Sequence, residues 1–282
     1  MGKTLAEKYP QVAALYQEAD EILGFSLSDL CFSGPEELLT RTDNAQPAIL
    51  VTSIVHLKVL QENHSDAIGI PSFTAGHSLG EYTALVAGGA LDFATAVKLV
   101  RERGRLMNEA GKGTSGMVAV IGGDDILAEI CQASGTEVAN YNSPGQTAIS
   151  GTNEALARFT ELAKERGIRK VIPLSVSAAF HSSLMRPMAE ELAKVIAKVN
   201  FKPAQPPVVS NVTAKPLNAP EAIKEELILQ TYSPVRWVES TQTMYGEGVT
   251  RFVEFGTGKV LTGLIKRIVK DVELINSEDL LK

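Results

Sequence analysis

Phe73-Thr74-Ala75-Gly76-His77-Ser78-Leu79-Gly80-Glu81-Tyr82 is a short apolar run that breaks at glycine, presents one serine, and resumes as helix-forming sequence. In a G-x-S-x-G turn the glycines let a strand reverse tightly into a helix. The serine hydroxyl is then exposed at the bend, and the helix N-terminus is aimed at any oxyanion forming beside it. Ser78 is therefore read as a nucleophile on a strand-to-helix elbow, with an ordinary turn carrying a small polar residue as the plainer alternative. The small, apolar residues of 79–88 favour the elbow, because they suit a helix packed on a sheet beneath a site.

Around this stretch the chain has the means to bury a full core, with 282 residues of which 44% are hydrophobic. One large domain, or one domain carrying an insertion, is expected at that length. The formal charge of -6, from 27 basic and 33 acidic residues, gives no footprint for non-specific nucleic-acid binding, so an acidic partner would need a local basic patch. Cys31 and Cys131 form no C-x-x-C pair, and His56, His64, His77 and His181 show no H-E-x-x-H spacing. A disulfide scaffold and a metal centre are accordingly not expected, and no cofactor is assigned. No apolar run is long enough to span a bilayer and no signal core follows Met1, so the expected location is the cytoplasm.

Apolar periodicity predicts a helix over 5–24 divided at Pro10, then a buried helix over 46–62 that is apolar on most sides. A further helix is capped by Asp92 and runs to about Gly111. Most of its charge, on Lys98, Arg101, Glu102, Arg105 and Glu109, falls on one arc, but Arg103 lies among Leu99, Leu106 and Ala110 on one side and Ala96 and Met107 on the other. A guanidinium on an apolar face either snorkels to water or meets a carboxylate or phosphate.

Beyond the glycine-rich joint at 111–116 the texture changes. Strand 117–121, helix 125–133, strand 137–141, a turn at Ser143-Pro144-Gly145, strand 147–150, helix 154–166 and strand 169–174 follow in the order β-α-β-β-α-β. That order describes a ferredoxin-like unit complete in itself, here inserted into a larger domain. Asn140 and Asn142 flank Tyr141 near its hairpin, where asparagine commonly forms turns. The chain returns through His181, at a loop-to-helix junction between small polar residues, to a helix over 185–199. A strand over 208–212, a helix over 222–229, a strand over 251–255 and a helix over 260–268 complete it. The fold class is α/β: a hydrolase-like large domain with a parallel sheet and a nucleophile elbow (1–114 and 177–282), interrupted by a ferredoxin-like domain (115–176).

Several separated motifs together resemble one family, the malonyl-CoA:acyl carrier protein transacylases and the related acyltransferases of polyketide synthesis. Gly76-His77-Ser78-Leu79-Gly80-Glu81 resembles the family's nucleophile motif, Arg103 falls where its carboxylate-binding arginine lies, and Ala179-Phe180-His181-Ser182 resembles its histidine motif. The runs 140–146, 233–237 and 258–264 add further matches. The resemblance implies transfer of a malonyl group from malonyl-CoA through a Ser78 acyl-enzyme to the phosphopantetheine thiol of acyl carrier protein, by a chain expected to be a monomer. His181 would be the general base, oriented by the backbone carbonyl of Gln230, and Leu79 N–H would serve the oxyanion. Arg103 would hold the malonyl carboxylate, with Asn142, Phe180 and Gln46 completing the substrate side. Leu79 and a bulky Phe180 would favour malonyl over methylmalonyl. His77 receives a structural role.

The family pattern implies a further strand and a glutamine-bearing loop ahead of the residues matching Met1-Gly2, whose N–H would be a second oxyanion donor. Thr257 stands where the family often has proline. Basic residues around Lys259, Lys266 and Arg267, or around Arg169 and Lys170, are candidate docking points for an acidic carrier, with solvated faces as the alternative. Two other classes remain compatible with the elbow: a serine thioesterase or acyl hydrolase, and a non-catalytic carrier-protein docking module.

Overall fold

The computed structural model describes residues 1–111 and 113–282. Pro10 starts a new helix where it lacks only an N–H that would go unused, so the first apolar stretch is two helices, Lys3–Lys8 and Pro10–Leu23. The helix Thr42–Asn63 is buried over most of its length, as a sequence apolar on most sides predicts for 46–62, and packs against Phe93–Gly111. The closeness of these two helices depends on Gly104, where a Cβ would lie 2.7 Å from the carbonyl oxygen of Thr42 and 2.8 Å from Cα of Asp43. Asp92 caps the second helix as expected, its Oδ1 accepting the Thr95 N–H at 2.8 Å.

The elbow strand β1 (Thr74–Ala75) leads into the helix Leu79–Ala87. The strands β2 (Ser115–Ile121), β3 (Glu137–Ser143), β4 (Gln146–Thr152) and β5 (Lys170–Pro173) form one sheet in the order β3-β4-β2-β5, antiparallel throughout. The helices Leu127–Ser134 and Asn153–Glu165 lie against it, and Val118, Val120, Ile130, Ile149 and Phe159 make a core separate from that of the rest of the chain. Asn140 and Asn142 lie within β3 and not in the turn, because the strand continues to Ser143.

The remaining strands form smaller sets than the parallel sheet expected for the large domain. β6 (Val208–Val209) pairs parallel with β1 and antiparallel with β7 (Pro216–Leu217). β8 (Arg251–Glu254) and β9 (Glu273–Asn276) make a separate parallel pair. The sequence predicts β6 to residue 212; the strand stops at Val209 because Ser210, Asn211 and Val212 give their donors to the Glu81 and Glu226 carboxyls. The described residues include no helix long and apolar enough to cross a membrane.

Candidate active site

Gly76 is required at the elbow: a Cβ there would sit 2.0 Å from the Gly80 carbonyl carbon and oxygen. Gly80 itself faces open space, so the two glycines of the motif are not equivalent. Ser78 has a positive φ of 52°, a conformation that costs energy for a residue with a side chain and is held by its surroundings. Asn211, just past β6, supplies that hold, its Oδ1 accepting Ser78 N–H at 2.7 Å and its Nδ2 donating to Gly76 O at 2.7 Å.

The Ser78 hydroxyl meets His181 Nε2 at 2.8 Å, and His181 Nδ1 meets the Gln230 carbonyl at 2.7 Å. These contacts set the tautomer: Nδ1–H donates to a carbonyl that can only accept, leaving Nε2 as the acceptor for the serine proton. Burial first, and then the Arg103 charge, push the His181 pKa down to about 3. The resting imidazole is therefore neutral. His77 turns away from the serine, with Nε2 2.8 Å from Asn142 Oδ1 and its ring 5.8 Å from that of Trp237.

Arg103 does not snorkel, being 1% exposed. Its guanidinium donates from Nη1 to Gln46 Oε1 at 2.8 Å, and from Nη2 to Gln230 Oε1 at 2.9 Å and Ser78 Oγ at 3.0 Å. Each of these partners is neutral, and Nε finds none among the described residues. The Tyr82 ring lies 5.4 Å below the cation, and burial lowers the Arg103 pKa. A positive charge thus sits beside the serine with no carboxylate in direct contact among the described residues.

Ser78, His181, Arg103, Gln230 and Gln46 are brought together within hydrogen-bonding distance. Leu79 opens the helix, where its N–H has no intrahelical acceptor. Phe180 is buried in the main core, and the Asn142 side chain is occupied by His77. Sequence reading missed Asn211, the Gln230 side chain, and the buried acids Glu81 and Glu226. The available signals were an acid within the first turn of an apolar helix and asparagine at the end of a buried strand. No cluster of metal-ligating side chains occurs among the described residues.

A mixed α/β fold that presents a histidine-backed serine hydroxyl at a strand-to-helix elbow belongs to the class of serine enzymes that handle acyl groups. A buried arginine meets the same oxygen. The acyl transferase domain profile matches residues 1–281, and the chain belongs to that family. It is 48% identical to the malonyl CoA-acyl carrier protein transacylase of Bacillus subtilis, over 99% of this chain and 89% of the relative. An acyl carrier protein S-malonyltransferase of Vibrio cholerae superposes with a TM-score of 0.93 at 43% identity, covering 99% of this chain and 94% of that one. A malonyl-transacylase solved in complex with its type II PKS acyl-carrier protein gives 0.92 at 41% identity, covering 98% and 90%.

Proposed function

We propose that this chain is a malonyl-CoA:acyl carrier protein S-malonyltransferase working through a Ser78 ester. The observation that carries the reading is the buried Arg103 guanidinium, with no carboxylate in direct contact among the described residues, hydrogen-bonded to the hydroxyl that His181 also holds. A planar fork suits a carboxylate, and malonyl is a thioester that carries one.

Ser78 Oγ attacks the thioester carbonyl as its proton passes to His181 Nε2. The tetrahedral oxyanion lies at the start of the helix Leu79–Ala87, by the Leu79 N–H. Collapse expels the CoA thiolate, which takes the proton from His181. The carrier's phosphopantetheine thiol then gives its proton to His181 and attacks the ester carbonyl, and collapse breaks the ester bond as His181 returns that proton to Ser78 Oγ. A carbonyl behind the imidazole stabilises imidazolium less than a carboxylate would, which suits reversible exchange between thioesters of similar energy. The substrate carboxylate also offsets the Arg103 charge that disfavours protonated His181, so the malonyl group helps activate its own base.

The element order and strand pairing of 115–176 support reading it as a ferredoxin-like insertion in a hydrolase-like domain. Carrier docking is assigned to Arg169 and Lys170, which line an open hollow of about 580 Å³ beside Arg166, itself paired with Glu129. Lys259 is engaged by Asp279 and Arg267 by Gln146.

Intact-mass measurement after exposure to malonyl-CoA tests the reading. One malonyl adduct on Ser78, discharged by holo acyl carrier protein, is expected. Rapid release of free malonate without the carrier would favour a hydrolase, and no adduct would favour a docking module.

The depressed His181 pKa has a direct consequence for pH dependence. The neutral imidazole is the working base, so activity is lost only when pH falls through the folded-state pKa. The profile of kcat/KM, which reports the free enzyme, is expected to stay flat from pH 8 down to about pH 5. An acid limb between pH 6 and 7 would contradict the dry, cation-flanked setting of the imidazole.

A further inference from the structure

Beneath the elbow lie two acids that the proposed chemistry does not use. Asn211 N–H donates to Glu81 Oε1 at 3.1 Å, and the next amide, Val212 N–H, donates to Glu226 Oε1 at 3.0 Å. Consecutive amides thus hold the two carboxyls side by side and nearly free of solvent, at 1% and 5% exposure. Two anions in contact in a dry interior cannot both persist. Glu226 also accepts from Ser210 Oγ at 2.7 Å and is the less enclosed of the two, so the charge is better placed on it.

Glu81 Oε2 accepts from Gln230 Nε2 at 2.5 Å, and the same amide nitrogen donates to Ser78 O at 2.9 Å. With its NH₂ group fixed this way, Gln230 has only Oε1 to offer Arg103. We infer that Glu81 and Glu226 hold one proton between them, Glu81 as neutral donor and Glu226 as carboxylate acceptor. The pair is a positioning device: it turns the Gln230 amide so that Arg103 meets an amide oxygen and keeps its charge for the substrate. The desolvation of Glu81 and the neighbouring Glu226 charge both raise the Glu81 pKa, in keeping with this arrangement. A doubly ionised pair would instead place a second negative charge next to Gln230, drawing on the guanidinium and repelling an incoming carboxylate.

The positioning half of this inference rests on the malonyl reading; the shared proton does not, and the two are tested separately. Infrared spectra of the resting wild-type protein at pH 7.5 are expected to contain a deuterium-sensitive carboxylic-acid C=O band, against a background in which ordinary carboxyls are ionised. Glu81→Gln removes the band, and Glu226→Gln, which removes the strong acceptor, moves it to higher frequency. No such band in the wild type, or a band unmoved by either variant, overturns the inference whatever the substrate proves to be. In steady-state assays Glu81→Gln, which keeps a neutral carbonyl toward Gln230, is expected to stay near the wild type, whereas Glu81→Leu, which offers Gln230 no acceptor, is expected to raise KM for malonyl-CoA about tenfold while kcat changes by less than about threefold. An equal fall in kcat and kcat/KM for Glu81→Leu, or no change in either, overturns the positioning role. Failure of malonyl to appear on Ser78 would refute the malonyl reading and leave the infrared band in place.

Discussion

Replacing His181 with alanine is expected to lower kcat/KM for malonyl transfer by about four orders of magnitude, with the fold and the malonyl-CoA KM little changed. The serine hydroxyl is a weak nucleophile at neutral pH, and among the described residues the group within reach that can accept its proton is His181 Nε2 at 2.8 Å. His77 cannot substitute, because its Nε2 is committed to Asn142. A single imidazole serves both half-reactions, as acceptor of the serine proton and then of the carrier thiol's. Acylation from malonyl-CoA and discharge to carrier protein should therefore slow together when measured as separate single-turnover steps. A His181→Ala protein that acylates at the wild-type rate and stalls only at discharge would assign the first proton transfer to another group.

Arg103→Ala is expected to cost about two to four orders of magnitude in kcat/KM for malonyl-CoA, while Ser78 remains open to acylation by acetyl-CoA. Removing one partner from a buried charge pair costs about 3 to 5 kcal/mol, which sets this range. The effect runs both ways. In the wild type, acetyl-CoA leaves the guanidinium facing only Gln46, Gln230 and the serine, whereas in the variant no buried charge awaits a carboxylate. Arg103→Lys should recover only a small part of the loss, since an ammonium cannot form the planar fork. The decisive comparison is the ratio of malonyl to acetyl acylation by intact mass; an equal loss with both substrates would mean that Arg103 acts on the serine and not on the acyl group.

These outcomes separate what was readable along the chain from what was not. The elbow was legible because it is a local steric problem, in which a Cβ on residue 76 would lie 2.0 Å from the Gly80 carbonyl and the serine must take a positive φ. Arg103 was legible as an anomaly, since helical periodicity placed it among Leu99, Leu106 and Met107, but periodicity left open whether it reached water. The 1% exposure answers that. β6 was read too long because Ser210-Asn211-Val212 has no local signal of its own; it leaves the sheet to satisfy Ser78, Glu81 and Glu226, residues far off in sequence. Asn142 falls beyond the strand expected over 137–141 because asparagine favours turns, yet pairing with β4 carries β3 on to Ser143.

The sequence by itself determined the bend that exposes Ser78, the helical face that carries Arg103, and the order of elements around them, because each follows from sterics and periodicity within some twenty neighbouring residues. Tertiary structure decided which atoms meet at the serine. The Gln230 side chain joins Arg103 to Glu81 and to a backbone carbonyl 152 residues away, and hydrogen bonds over such separations exist only once the core has excluded water and fixed their angles. The charge state of the site belongs to that second category: His181 is neutral and Arg103 meets no carboxylate directly among the described residues because of what surrounds them after folding.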